Sequence, residues 1–189
     1  SLGAQESLGN FISGLVISAS RPFEVGDRIH LFGGNITGYI EDITIRHTVV
    51  RTFMNSRIIV PNSVINKEMI ENSNFLEEKA AGFLDAVITY GSDMDEAIRI
   101  MTEVIASHPD YIDPRSAEAA AKSSDPSVKV YVRALSLYGV ELRASVWTGH
   151  IDTNFSTCSD LRISLKKAFD QAGIRFSEAS VSSAPPESY

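Results

Sequence analysis

The chain has 189 residues, with 43% hydrophobic and 22% charged side chains, 12 glycines, 7 prolines and one cysteine. Those proportions belong to an ordinary folded protein and exclude a collagen-like repeat, a disordered chain and a disulfide scaffold. A formal net charge of −7 argues against non-specific binding to nucleic-acid phosphates, and the lone Cys158 can form no internal bridge, which suits a reducing compartment. No run reaches the roughly 18 consecutive apolar residues that span a bilayer.

The chain starts at Ser1 without a methionine, so a processed form or an expressed piece is expected. The first pattern, residues 8–19, is uncharged and rich in small residues, and it stops at Arg21-Pro22-Phe23. It reads as a buried helix or strand, or as the end of a longer membrane segment. Gly3, Ser7, Gly14 and Ser18 are spaced to permit close helix approach. From Val25 the period becomes that of strands. Asp27–Phe32 runs into the turn Gly33-Gly34-Asn35, and residues 36–53 form a β-branched stretch too long for one strand. Gly38 inside that stretch marks a bulge or sharp bend. Met54-Asn55-Ser56 is another turn, and Arg57–Val60 leads to Pro61-Asn62. Four or five short strands so closely spaced predict a small closed barrel, SH3-like or Sm-like, over residues 21–75, because closure removes exposed edges.

Glu71-Asn72-Ser73-Asn74 reads as a polar hinge. After it, Ala81–Tyr90 is a predicted strand, and Asp93 is a predicted N-cap with Glu96 three residues on. Met94, Ala97, Ile98, Met101, Val104 and Ile105 then follow helical spacing. His108-Pro109 and Asp113-Pro114 mark a surface connection. Val128, Val130 and Val132 alternate as in a half-buried strand, Tyr138-Gly139 turns, and Val140–Trp147 alternates again. A last helix over about residues 156–172 stops at Gly173, before a short strand at residues 174–176. The order β-α-β-β-α-β is the ferredoxin-like split motif, placed at residues 76–178. Residues 179–189, with Pro185-Pro186, are predicted to be a disordered tail.

The residues offer little catalytic chemistry, and neither a cofactor nor a metal is expected. No glycine-rich phosphate loop precedes a lysine. His30, His47, His108 and His150 have no partner at i, i+4 and no nearby cysteine ligand set; a metal site built from distant members stays open beside plain packing roles. Cys158, near His150 in sequence, is either a nucleophile or a buried inert thiol on the apolar stripe of the last helix. Asp93, Asp95 and Glu96 sit where a helix dipole favours negative charge. Arg21, Arg28, Arg46, Arg51 and Arg57 fall in the barrel segment, but residues 1–75 carry 6 basic against 7 acidic side chains, so nucleic acid is not an expected partner.

Several motifs in order resemble the small-conductance mechanosensitive channel family. They are Leu8-Gly9-Asn10-Phe11-Ile12-Ser13-Gly14, then Arg21-Pro22-Phe23-Glu24-Val25-Gly26-Asp27, then Gly38-Tyr39-Ile40-Glu41-Asp42-Ile43. Arg46-His47-Thr48-Val49-Val50-Arg51-Thr52, Val60-Pro61-Asn62-Ser63 and Asn72-Ser73 continue the match. The resemblance implies an inner-membrane channel of which this piece lies on the cytoplasmic side. Residues 1–20 would hold the end of a pore helix, its kinked second half at residues 6–20, followed by the barrel and then the α/β domain, with seven copies forming a hollow vestibule. Tension would open the pore and release ions and small osmolytes; the membrane would be met through helices upstream of Ser1. The resemblance makes Asn10, Gly14, Ser18, Arg21, Pro22, Phe23, Gly26 and Gly38 the structural and gating-helix candidates. Gly14 and Ser18 would allow close helix packing, Arg21-Pro22 would end the helix, Gly26 would turn the chain into the barrel, and Gly38 would bend it. The alternative is a stand-alone soluble oligomeric binding module that borrows both folds.

Overall fold

Residues 8–19 are helical, as part of α1 (Leu2–Ser20), a continuous helix that contains Glu6. Leu2, Ala4, Gln5 and Glu6 are good helix formers and extend it toward the N-terminus despite Gly3. It ends where Arg21 turns to φ +44° while its N–H still reaches the Ile17 carbonyl at 2.8 Å. Pro22 follows and has no N–H with which to continue. We describe residues 2–178 of this computed structural model, in which the chain forms two units divided after Glu78.

In the first unit α1 is followed by β1 (Arg28–Leu31), β2 (Ile36–Ile43), β3 (His47–Arg51) and β4 (Arg57–Pro61), then by the short α2 (Asn62–Ile65) and β5 (Ile70–Asn72). The strands form one antiparallel sheet in the order β4-β3-β2-β1-β5. The expected closed barrel is corrected: among the described residues no ladder joins β4 to β5, and the sheet is open. Pro61-Asn62 turns the chain off β4 into α2, and the chain returns on the opposite edge as a strand of three residues, too short to continue round to β4. Strand alternation sends Ile29, Leu31, Ile40, Val50 and Val60 inward, where Ile17 of α1, Phe23 and Ile65 of α2 close the core. The expected hinge at Glu71-Asn72 is also revised, since both residues lie in β5 and pair with β1.

Gly38 is not the bulge. The register of β2 against β3 shifts between Ile40 and Asp42, which leaves Glu41 as the extra residue. At Gly38 a Cβ would collide with the Arg51 carbonyl oxygen and lie 2.9 Å from Val50 Cγ1, so glycine there permits a close approach of neighbouring backbone.

The second unit runs β6 (Ala80–Ile88), α3 (Met94–Ala106), α4 (Ala117–Lys122), β7 (Val130–Ser136), β8 (Gly139–Thr148) and α5 (Ile151–Ala172). Its sheet order is β6-β8-β7, antiparallel throughout. The core lies between one sheet face (Leu84, Ala86, Ile88, Leu142, Ala144, Val146) and the apolar faces of α3 (Ala97, Met101, Ile105) and α5 (Leu161, Leu165, Phe169). Asp93 caps α3 by accepting from the Glu96 N–H, and Gly173 ends α5 in the left-handed region at φ 72°. Helix α5 begins five residues before the expected start, because His150 caps it through the Asp152 N–H. Helix α4 falls in the stretch read as a connection; Ser116 caps it, and its alanines favour it. The strand expected at residues 174–176 is reduced to one antiparallel bridge, Ile88 to Phe176, so the sheet has three full strands. The tail expected at residues 179–189 lies outside the described residues.

Candidate functional site

The feature that engages the candidates Asn10 and Gly14 is the seat of α1 on the five-stranded sheet and α2. Asn10, Gly14 and Ile17 recur at helical spacing and form its buried stripe. Asn10 Oδ1 accepts the Ser63 backbone N–H at 3.0 Å, so a side chain of α1 satisfies one of the orphan donors at the start of α2. About one turn on, Gly14 faces the Thr44–Ile45 turn and Asn62. A Cβ at Gly14 would collide with the Ile45 carbonyl oxygen and come within 2.7 Å of Asn62 Nδ2. Asn62 has no room to move away: it is fully buried, donates to the Thr44 carbonyl at 2.9 Å and accepts from Thr48 Oγ1 at 3.0 Å. Thr44 in turn tightens the loop through its hydroxyl and the His47 backbone. The close approach that the small residue permits is therefore made to the chain's own sheet and α2.

The opposite face of α1 is apolar and exposed. Leu8, Phe11, Ile12, Leu15 and Val16 follow i, i+3, i+4, i+7, i+8 and are each between 43 and 58% accessible. Ser18 is also exposed; it lines a cleft of about 380 Å³ with Ile17, Arg21, Phe23, Glu24, Val25 and Ile43 rather than lying in the seat.

After the helix, the Arg21 side chain makes an exposed contact of 3.4 Å with Glu24, whereas Phe23 is buried in the core. The Pro22 carbonyl accepts from Asn72 Nδ2 at 3.1 Å. The same amide donates to Asp27 Oδ2 at 2.8 Å, and that oxygen also accepts the Glu24 N–H. Asn72 Oδ1 takes the Asn74 N–H, while Asn74 Oδ1 takes the Arg28 N–H. The polar run expected to be a hinge is a clamp that fixes the loop leaving α1. Side-chain amides alternating along residues 72–74 were the available signal, since amides can donate and accept at once. Gly26 sits in this loop at φ +100° with open space around its missing Cβ, so its backbone angle is what calls for glycine.

Across the outer sheet face, Arg28, Tyr39, Arg51 and Arg57 are successive register partners. Like charges directly opposite repel. The bulge relieves this by aiming Glu41 at both neighbours: its carboxylate accepts two 2.8 Å bonds from Arg57 and lies 4.0 Å from Arg51 Nε. The hydrogen bonds from Arg57 hold the Glu41 carboxyl below its ordinary value. The Arg28 and Arg51 guanidiniums lie over the rings of Phe53 and Tyr39 at 5.2 and 5.3 Å.

Among the described residues no three His, Cys, Asp or Glu side chains converge as metal ligands. Cys158 is buried on α5 with its sulfur 3.6 Å from Asn154 Oδ1, and burial pushes its thiol up, toward the unreactive protonated form. His150 is occupied as a helix cap and His30 contacts Thr37 at 2.7 Å. No helix among the described residues is long and apolar enough to cross a membrane.

The described residues thus form a β-domain that seats an apolar helix, followed by a mixed α/β domain. Residues 6–74 match the family model "Mechanosensitive ion channel, beta-domain", and residues 84–176 match "Mechanosensitive ion channel MscS, C-terminal". The chain belongs to the small-conductance mechanosensitive channel (MscS) family. It is 29% identical over 183 residues to the large-conductance mechanosensitive channel MscMJLR of Methanocaldococcus jannaschii, a match that covers 93% of this chain and 46% of that protein. The small-conductance channel MscMJ of the same organism is 25% identical over 178 residues, covering 92% and 46%. The fold is shared with the closed-state crystal structure of Helicobacter pylori MscS, with a TM-score of 0.77 at 20% identity over 92% of this chain and 63% of that one. The chain thus spans under half the length of these two archaeal relatives.

Proposed function

We propose that this chain is the cytoplasmic vestibule portion of a mechanosensitive channel that opens under membrane tension and releases ions and small osmolytes in hypo-osmotic shock. In this reading α1 is the end of a pore helix. Residues 21–75 act as an Sm-like domain, residues 76–178 as a ferredoxin-like one, and seven copies form the ring. The part has no enzymatic role, and helices upstream join it to the membrane. The observation that carries the reading is the two-sidedness of α1. One face is tied to the sheet through Asn10, Gly14 and Ile17, while the other leaves five large apolar side chains exposed. A contiguous apolar strip of this kind marks an interaction surface, and in a channel it places a movable pore element on a fixed support.

The test expresses the complete gene in a bacterial strain that lacks its own mechanosensitive channels. Survival of downshock and suction-activated currents in membrane patches are the readouts. The parent should rescue survival and conduct under tension. Leu15→Asp should abolish both, while leaving the melting of the isolated chain unchanged because Leu15 is exposed. Absence of tension-activated current in the parent overturns the reading and favours a soluble oligomeric module.

A further inference from the structure

The second unit holds a cavity of about 270 Å³ on the sheet face turned away from α3 and α5. Its walls are Pro114, Pro126, Tyr131 and Trp147, with Ser127, Ser145, Arg115 and Lys129 between them. Tyr131 lies opposite Arg143 of β8, and Ser145 and Trp147 follow Arg143 at alternate positions on the same face, so both aromatic side chains reach the cavity from one sheet face. Proline and aromatic rings supply flat apolar surfaces. Both charged groups that line the cavity are cations, and the carboxylates that pair with them lie outside the lining.

Those pairings also orient the cations. Arg115 is clamped by Asp113 through its Nε and Nη2, and its Nη1 donates to the Asp125 carbonyl at 3.0 Å. Lys129 Nζ donates to Asp125 Oδ2 at 2.8 Å, which occupies one of its three N–H donors. A cavity with ring walls, cationic side chains and two serines presents the chemistry of a small organic-anion site. The volume suits a molecule smaller than an ordinary drug-sized ligand.

From this geometry we infer that the cavity binds a metabolite-sized organic anion. Its carboxylate or phosphate is held by Lys129 beside Arg115, and its planar or apolar body lies against Tyr131 and Trp147. The site belongs wholly to the second unit and does not depend on the channel reading.

Trp147 is the chain's single tryptophan, so its fluorescence reports this cavity directly. The chain is titrated with phenylacetate, with benzyl alcohol as the neutral analogue, and with inorganic phosphate. Phenylacetate should change Trp147 emission saturably, and benzyl alcohol should bind about tenfold or more weakly, as expected for loss of a charge-assisted contact. Inorganic phosphate should compete with phenylacetate if the anion pocket accepts either group; failure to compete restricts the site to carboxylates. Lys129→Ala should weaken phenylacetate about tenfold. Asp125→Asn, which keeps the lysine and removes its partner, should bind at least as tightly as the parent. Far-UV circular dichroism establishes that both variants remain folded. No saturable response, equal binding of benzyl alcohol, or a folded Lys129→Ala variant with unchanged affinity overturns the proposal.

Discussion

At the scale of single residues, two glycines of α1 make opposite demands. Each glycine within a helix forfeits about 1 kcal/mol relative to alanine. At Gly9 nothing lies within 4 Å of the missing Cβ, whereas at Gly14 the Ile45 carbonyl and the Asn62 amide already occupy its place. Gly9→Ala should therefore stabilise the chain by about 0.5–1 kcal/mol. Gly14→Ala gains the same propensity but must displace backbone and a doubly bonded buried amide; overpacking of that kind costs about 1–3 kcal/mol. The net effect should be destabilising, and Gly14→Leu should be worse. Urea denaturation of the isolated chain measures both, and a Gly14→Ala midpoint at or above that of the parent would show that the seat yields freely. The sequence alone placed small residues at suitable spacing but could not say what they approach. Gly14 and Ser18 carry the same signal, yet one is buried against Asn62 and the other faces a cleft. The difference arises from the rotation of the helix on its support, which is set by residues more than thirty positions away.

At the scale of elements, the bulge in β2 reconciles three arginines that the sheet register aligns. Glu41 is exposed enough for solvent to screen its pairing, so its contribution is modest and salt-dependent. Its sign is nonetheless defined. A carboxyl whose folded pKa is depressed contributes stability above its unfolded pKa, and that contribution is lost as pH falls through the folded value. Glu41→Gln should accordingly melt below the parent at neutral pH, with the gap narrowing as acid protonates Glu41 in the parent and as salt is raised. A gap that is constant with pH would mean the side chain acts through shape alone. Strand and helix existence was largely legible, because alternation and helical spacing are local patterns: β1, β4, α3 and β8 appear where the periods place them. What escaped depended on pairing. The sequence assigned the irregularity to Gly38, the conformationally permissive residue, whereas the register places it at Glu41. Closure of the barrel likewise hinges on whether β4 meets β5, which no local pattern encodes. The clamp formed by Asn72, Asn74 and Asp27 was hidden for the same reason, since hinges and side-chain clamps draw on the same polar residues.

At the scale of the whole molecule, Glu77 and Glu78 decide how charge is shared. A division after residue 75 assigns a net −1 to the first part and −6 to the rest. The structural division after Glu78 brings the balance to −3 and −4, so the negative charge is spread over both units rather than concentrated in the second. In the proposed ring each copy adds −7, and a chamber walled by such copies would enrich cations and deplete anions along its length. The effect should fade with salt, because the screening length falls from about 30 Å at 0.01 M to about 10 Å at 0.1 M. Reversal potentials of the complete channel in asymmetric KCl, recorded at low and at high total salt, measure it. The expected result is a shift toward the potassium equilibrium potential that is larger at low salt. A preference for chloride that strengthens at low salt would refute the prediction. It would instead locate the controlling constriction at the row of Arg28, Arg51 and Arg57, where one carboxylate, Glu41, pairs with Arg51 and Arg57 and local charge opposes the net charge of the chain.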